Sequence, residues 1–143
     1  MAARVPFNAF QTALYQLMKN AHISLANGTE IPIYDKVPKG TEAMPYIWLG
    51  ELHGEPTDQN KTSYIHLVSQ QLHIWSNAGG KKEINGIIDD VVFLLTKYLL
   101  NITGYVQVGE AKVSEYEVLG ELYENGESAY HGILIMEYQL EQI

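Results

Sequence analysis

The chain has 143 residues, 46% apolar and 18% charged, with a formal net charge of −8. That balance suits one globular domain, spanning 1–143, that can bury a core, and it excludes a disordered chain. The acidic excess excludes a basic groove tracking nucleic-acid phosphates, and the lack of cysteine excludes disulfides, thiolate metal sites and a cysteine nucleophile.

The first element is expected to be a helix. Phe7, Phe10, Leu14, Leu17, Met18 and Ala21 recur at three- and four-residue spacing, with Asn8 as N-cap and Asn27-Gly28 ending the segment. Ile31 to Asp35 reads as a short strand, with Pro32 placing it at an edge. Tyr46 to His53 reads as a second strand, with Ile47 and Leu49 on one face and Tyr46 and Trp48 on the other. His53 through Lys61 is polar and reads as a loop. In the strand expected over Ser63 to Ser76, Ile65 and Leu67 are odd-numbered but Leu72 and Ile74 even-numbered. A bulge across Ser69-Gln70-Gln71 would keep both halves facing one core; otherwise the outer half meets a different partner.

From Lys81 to Leu100 the pattern is helical again. Ile84, Ile87, Ile88, Val91, Val92, Leu95, Tyr98 and Leu99 form a wide stripe that Phe93, Leu94 and Leu100 broaden. A central helix stopped by Gly104 is expected. Tyr105 to Leu119 holds one or two strands interrupted near Gly109, and Ala129 to Leu140 is the last strand, with Asn125-Gly126 as a hairpin turn between them. The order helix, strands, helix, hairpin predicts an α+β fold with an antiparallel sheet and two helices packed on one face.

No chemical site emerges. His22, His53, His66, His73 and His131 form no helical or strand pair and read as isolated imidazoles, so no metal site is expected. Asp89 and Asp90 point about 100° apart on a helix, and Glu115 with Glu117 reads as a solvated or lumen-facing row. Gly79-Gly80-Lys81-Lys82 lacks the spacing of a phosphate loop. No catalytic or cofactor-binding residue is assigned. The N-terminus lacks the apolar core of a signal peptide, and the longest strongly apolar run, Val91 to Leu95, is too short to span a bilayer, so a soluble protein is expected. The sheet's second face is the exception to this plainness. Apolar residues fall on both faces of the Tyr46 and Ala129 strands, which points to burial against another subunit. The residues expected at such an interface are Tyr46, Trp48, Trp75, Leu134, Met136 and Tyr138.

An ordered set of motifs extends this reading: Ile33-Tyr34-Asp35-Lys36-Val37-Pro38, Pro45-Tyr46-Ile47-Trp48-Leu49-Gly50-Glu51, His73-Ile74-Trp75-Ser76, Gly80 to Glu83, and Tyr130-His131-Gly132-Ile133-Leu134. Over nearly its whole length the chain resembles the tail-completion, or head–tail joining, proteins of long-tailed phages and prophages. It departs from them in lacking an Arg-rich final strand and in its acidic turn, Glu124-Asn125-Gly126-Glu127. The resemblance implies a non-catalytic virion protein at the head–tail junction, made in the bacterial host cytoplasm and monomeric when isolated. It would form a hexameric ring between the head connector or adaptor and the tail tube protein, with DNA passing through the lumen without specific binding. The alternatives are a tail terminator capping the tube and, in a different class, a small-molecule-binding or enzymatic domain with a pocket between the sheet and the helix from Lys81.

Overall fold

A computed structural model describes residues 2–57 and 63–143. It is an α+β fold of two helices and a mixed six-stranded sheet: α1 (Phe7–Asn20), β1 (Ile33–Tyr34), β2 (Tyr46–Pro56), β3 (Ile65–Ser76), α2 (Lys82–Lys97), β4 (Tyr105–Gln107), β5 (Lys112–Leu122) and β6 (Ser128–Gln142). The polar connector expected from His53 is therefore strand as far as Pro56, and residues 58–62 lie outside the described residues.

The sheet order is β1-β2-β3-β6-β4, with β5 also on β6. β6 is the spine: β3 pairs along one edge, while β5 and then β4 share the other. An entirely antiparallel sheet was expected, but β1 runs parallel to β2, with Ile33 opposite Ile47. The long Asp35–Pro45 connection permits this, because parallel neighbours need a crossover that carries the chain back along the strand.

The even-numbered residues of β3 and β6 face the core, pairing Leu72 with Leu134 and Val68 with Tyr138. Both helices lie against this face. Phe10 of α1 meets Tyr138 edge-on at 4.9 Å. On α2, Ile84 and Ile88 close over Gly132, where an added methyl group would come within 3.0 Å of Ile88 Cδ1. The buried stripes are Phe10, Ala13, Leu14 and Met18 on α1 and Ile84, Ile87, Val91 and Leu95 on α2. Each large apolar side chain buried there is worth about 1.5–3 kcal/mol.

The helix ends depart from expectation for identifiable reasons. Pro6, not Asn8, occupies the cap position of α1, and its carbonyl accepts the Phe10 N–H at 2.8 Å. The helix ends before Asn27-Gly28, because His22 turns the chain with φ 51°. Asn27-Gly28 instead closes a small turn in which Leu25 N–H donates to the Thr29 carbonyl. At the end of α2, Gly104 is not the stop. Tyr98 is already extended, and the Leu100 N–H donates to Gln107 Oε1 at 2.8 Å. Nor is α2 buried all round, since Phe93 stands exposed on its outer side.

The strand irregularity also sits elsewhere. β3 pairs with β6 without a break from Ile65 to Ser76, so the bulge expected at Ser69–Gln71 is absent. The bulge is on β2: Leu49 faces Leu72 but Leu52 faces Gln70. The core-face position is filled by Gln70, fully buried, whose amide donates to the Gln71 carbonyl at 2.8 Å and the Gly50 carbonyl at 3.3 Å. Ile65 and Leu67 consequently point to the opposite face.

Candidate functional site

The sheet face turned away from the helices carries a band of aromatic and histidine side chains. Antiparallel pairing sets Trp48 of β2 opposite His73 of β3, and Trp75 of β3 opposite His131 of β6. The rings stack: Trp48 on His73 at 4.8 Å, His73 on His131 at 5.0 Å, and Trp75 on His131 at 4.1 Å with planes 6° apart. Tyr46 is buried beside them and meets Tyr34 edge-on at 5.7 Å.

A polar relay runs through this band across neighbouring strands. His73 Nε2 lies 2.8 Å from Glu51 Oε1, and His73 Nδ1 lies 2.8 Å from His131 Nε2. An ionised carboxylate only accepts, so His73 donates through Nε2. In the neutral ring Nδ1 then accepts, and His131 donates through Nε2. His131 Nδ1 is left without a hydrogen, 3.8 Å from Glu121 Oε1, too far for a hydrogen bond. One added proton at Nδ1 would turn that atom into a donor toward Glu121; a second proton on the pair would set two N–H groups against each other.

Burial would raise the affinity of Glu51 for a proton, but the hydrogen bond from His73, its own backbone N–H and the nearby imidazoles outweigh that and hold it below the usual carboxylate value. Burial and the neighbouring His73 hold His131 below the ordinary imidazole value, against an opposing pull from Glu121. Burial and the Glu42 carboxylate push the Tyr46 phenol up.

These two histidines were expected to be isolated, and they are not: a long-range strand pairing brings them together. The only trace in the sequence is that His73-Ile74-Trp75 and Tyr130-His131-Gly132 belong to the two longest strands. The other three do stand apart from this cluster. His22 pairs with Glu30 at 3.0 Å, His53 lies 3.9 Å from Glu55, and His66 is on the helix face edge-on to Tyr105. Among the described residues no group of three or more potential ligand side chains is arranged to hold a metal ion.

Of the residues expected at an interface, Tyr46, Trp48 and Trp75 lie on this face. Leu134, Met136 and Tyr138 are fully buried beneath the helices, so they are core residues closed to a partner. The outward residues of β6 are Ile133 and Ile135, half-buried, opposite Glu117 and Glu115 of the exposed strand β5. Asp89 and Asp90 are exposed on α2. At the aromatic end, the Val37–Met44 loop and the β5–β6 turn wall a cleft floored by Tyr46, Trp48 and Trp75.

Residues 12–133 match the model of the family described as tail completion protein gp17. The chain belongs to that family. This tail-completion chain is a structural protein of the virion and not an enzyme. Its fold is similar to that of a chain in the virion of a native gene transfer agent particle, with a TM-score of 0.78 and 21% identity, covering 97% of this chain and 99% of that one. No curated protein matches the sequence. No helix among the described residues is long and apolar enough to cross a membrane.

Proposed function

We propose that the protein joins the head connector to the tail tube by forming a ring, a hexamer in the virion, at the head-proximal end of the tail. The observation that carries this is the helix-free sheet face. Trp48, Trp75, Ile133 and Ile135 are only half-buried there, although the other face of the same strands is sealed by helices. Closed rings are built from two different patches meeting head to tail. The Ile133 and Ile135 end of this face supplies one patch, and its aromatic end is left for the connector or tail tube protein. The open edge of β5, which among the described residues pairs with β6 alone, lies on the opposite side of the sheet from β1. The likeness to a virion chain supports the fold on which this arrangement rests.

In the ring the outward carboxylates of β5 line the lumen, where they repel DNA and let it pass. The test combines the purified chain with purified connector and tail tube proteins and follows mass by light scattering. A ring-sized complex is expected with at least one of them, even if the isolated chain is a monomer. Persistent failure to bind either protein sinks the reading. A complex with the tube alone would favour a tail terminator.

A further inference from the structure

The cleft at the aromatic end of the sheet has a chemistry more specific than that of a general contact surface. Its floor is Tyr46, Trp48 and Trp75, and Tyr123 stands at its side. Its rim is acidic: Glu42 on the loop, and Glu124 and Glu127 on the hairpin turn. None of these three carboxylates meets a Lys or Arg side chain among the described residues. Glu42 is fixed in place, because its two oxygens accept the N–H groups of Lys39 and Gly40, each at 3.0 Å. Those backbone donors, Lys39 first, hold its carboxyl below the usual range, so it stays charged. The hairpin turn is held too: Gly126 N–H donates to the Tyr123 carbonyl at 3.0 Å, and Glu127 N–H to Asn125 Oδ1 at 3.0 Å.

From this juxtaposition we infer that the cleft binds an arginine-bearing segment of an adjoining virion protein. A guanidinium is flat enough to lie on an indole or phenol face while its N–H groups reach carboxylates at the rim. A lysine ammonium is attracted to a ring face as well but cannot lie flat on it while forking to the carboxylates, and a nucleic-acid phosphate is repelled by the rim. The chain's single arginine, Arg4, lies at the other end of the sheet from its own cleft, and one arginine per copy is a poorer match to three rim carboxylates than an arginine-bearing segment of a different protein. Arg4 N–H donates to Gln142 Oε1 at 3.0 Å, at the end of β6 remote from the hairpin turn. The proposal rests on the reading of this face as an interface and adds the chemistry of the partner.

The chain's two tryptophans both line the cleft, so intrinsic fluorescence reports on it directly. The probe is a capped Gly-Arg-Gly-Arg-Gly peptide, compared with the same peptide carrying citrulline or lysine. A saturable tryptophan response is expected, with affinity for the arginine peptide at least about tenfold above that for citrulline, weakened by salt. The double variant Glu124→Gln, Glu127→Gln should lose most of that preference while keeping its unfolding midpoint, since both side chains are exposed. An equal response to citrulline, no response to any peptide, or binding unaffected by the double variant overturns the proposal. So does salt-sensitive self-association lost in the double variant, which would make the occupant a second copy. If the wild-type chain still assembles with connector or tube while peptide binding fails, only the cleft proposal falls. If peptide binds but no assembly forms, the joining reading falls instead.

Discussion

Gly50 lies where the β2 bulge passes His73, and its lack of a side chain is what allows the relay to close. A Cβ there would sit 2.7 Å from His73 Cδ2, 3.0 Å from Nε2 and 3.3 Å from the Gln71 carbonyl. The imidazole is held on one side by Glu51 and on the other by His131, so it cannot swing aside and keep both bonds. Gly50→Ala is expected to cost about 1–3 kcal/mol, the usual range for overpacking, read from denaturant unfolding. It should also change the NMR titration of His131, whose proton affinity is lowered in part by its neighbour in the relay. The relay makes stability depend on pH with a definite sign. His131 binds a proton less readily in the folded chain than at its ordinary value of 6.5, so below that value the unfolded chain takes up more protons and stability falls with pH. Glu51 acts in the same direction at lower pH: its stabilisation is present above 4.5 and lost as pH drops through its depressed folded value. The unfolding midpoint should fall on acidification through the imidazole range, and His131→Gln should flatten that first portion of the curve. A midpoint that rises on acidification would contradict the assignment.

At the scale of elements, the β2 bulge and Gln70 form one device. Gln70 occupies a core-face position that strand parity would give to an apolar residue, and its amide supplies a donor to the carbonyls of Gly50 and Gln71. Gln70→Leu makes the core more apolar yet removes that donor, so a loss of about 1–3 kcal/mol is expected in urea unfolding. A stabilised variant would show that the carbonyls find other partners. The same residue explains why the bulge was misplaced by sequence reasoning. Parity in one strand shows that a register conflict exists, but which strand absorbs it depends on the partner strand, which local sequence does not display. Local signals did better. The helix stripes and the Asn125-Gly126 turn, with Gly126 at φ 85°, were legible because each is decided within a few residues. The parallel β1–β2 pair was not legible, being two residues long and set by the path of the loop after it. The sheet face was half legible: Tyr46, Trp48 and Trp75 share the side away from the helices, whereas Leu134, Met136 and Tyr138 lie on the helix-covered side. Alternation says that two faces differ, and only the helices decide which one is sealed. The stacked histidines required the β3–β6 register, which pairs positions 58 residues apart.

For the whole molecule, the division of the sheet into a helix-covered face and an open one sets what a ring can expose. On β5 the outward positions after the register shift at Val113/Glu115 include Glu115 and Glu117, opposite the half-buried Ile135 and Ile133 of β6. Both carboxylates are exposed, and the net charge of −8 sets no compensating basic field around them. If this row faces the channel, its charge keeps the DNA backbone off the wall, and repeating it in every subunit multiplies a contribution that is small in one. Replacing both by lysine reverses the local field by four charges per subunit, counting two carboxylates lost and two ammonium groups gained. Lysines on a channel wall would pair with phosphates and release counterions, so transit should slow most at low salt and recover as salt screens the contact. The substitutions leave the core untouched, so particles carrying Glu115→Lys and Glu117→Lys should assemble with tails in normal yield. Their DNA ejection, followed as dye fluorescence from released genomes, should be slowed several-fold at low salt and approach wild type at high salt. Tails that assemble normally and eject at the wild-type rate at every salt concentration would place the β5 row away from the channel. Loss of tails altogether would place it in a subunit contact instead.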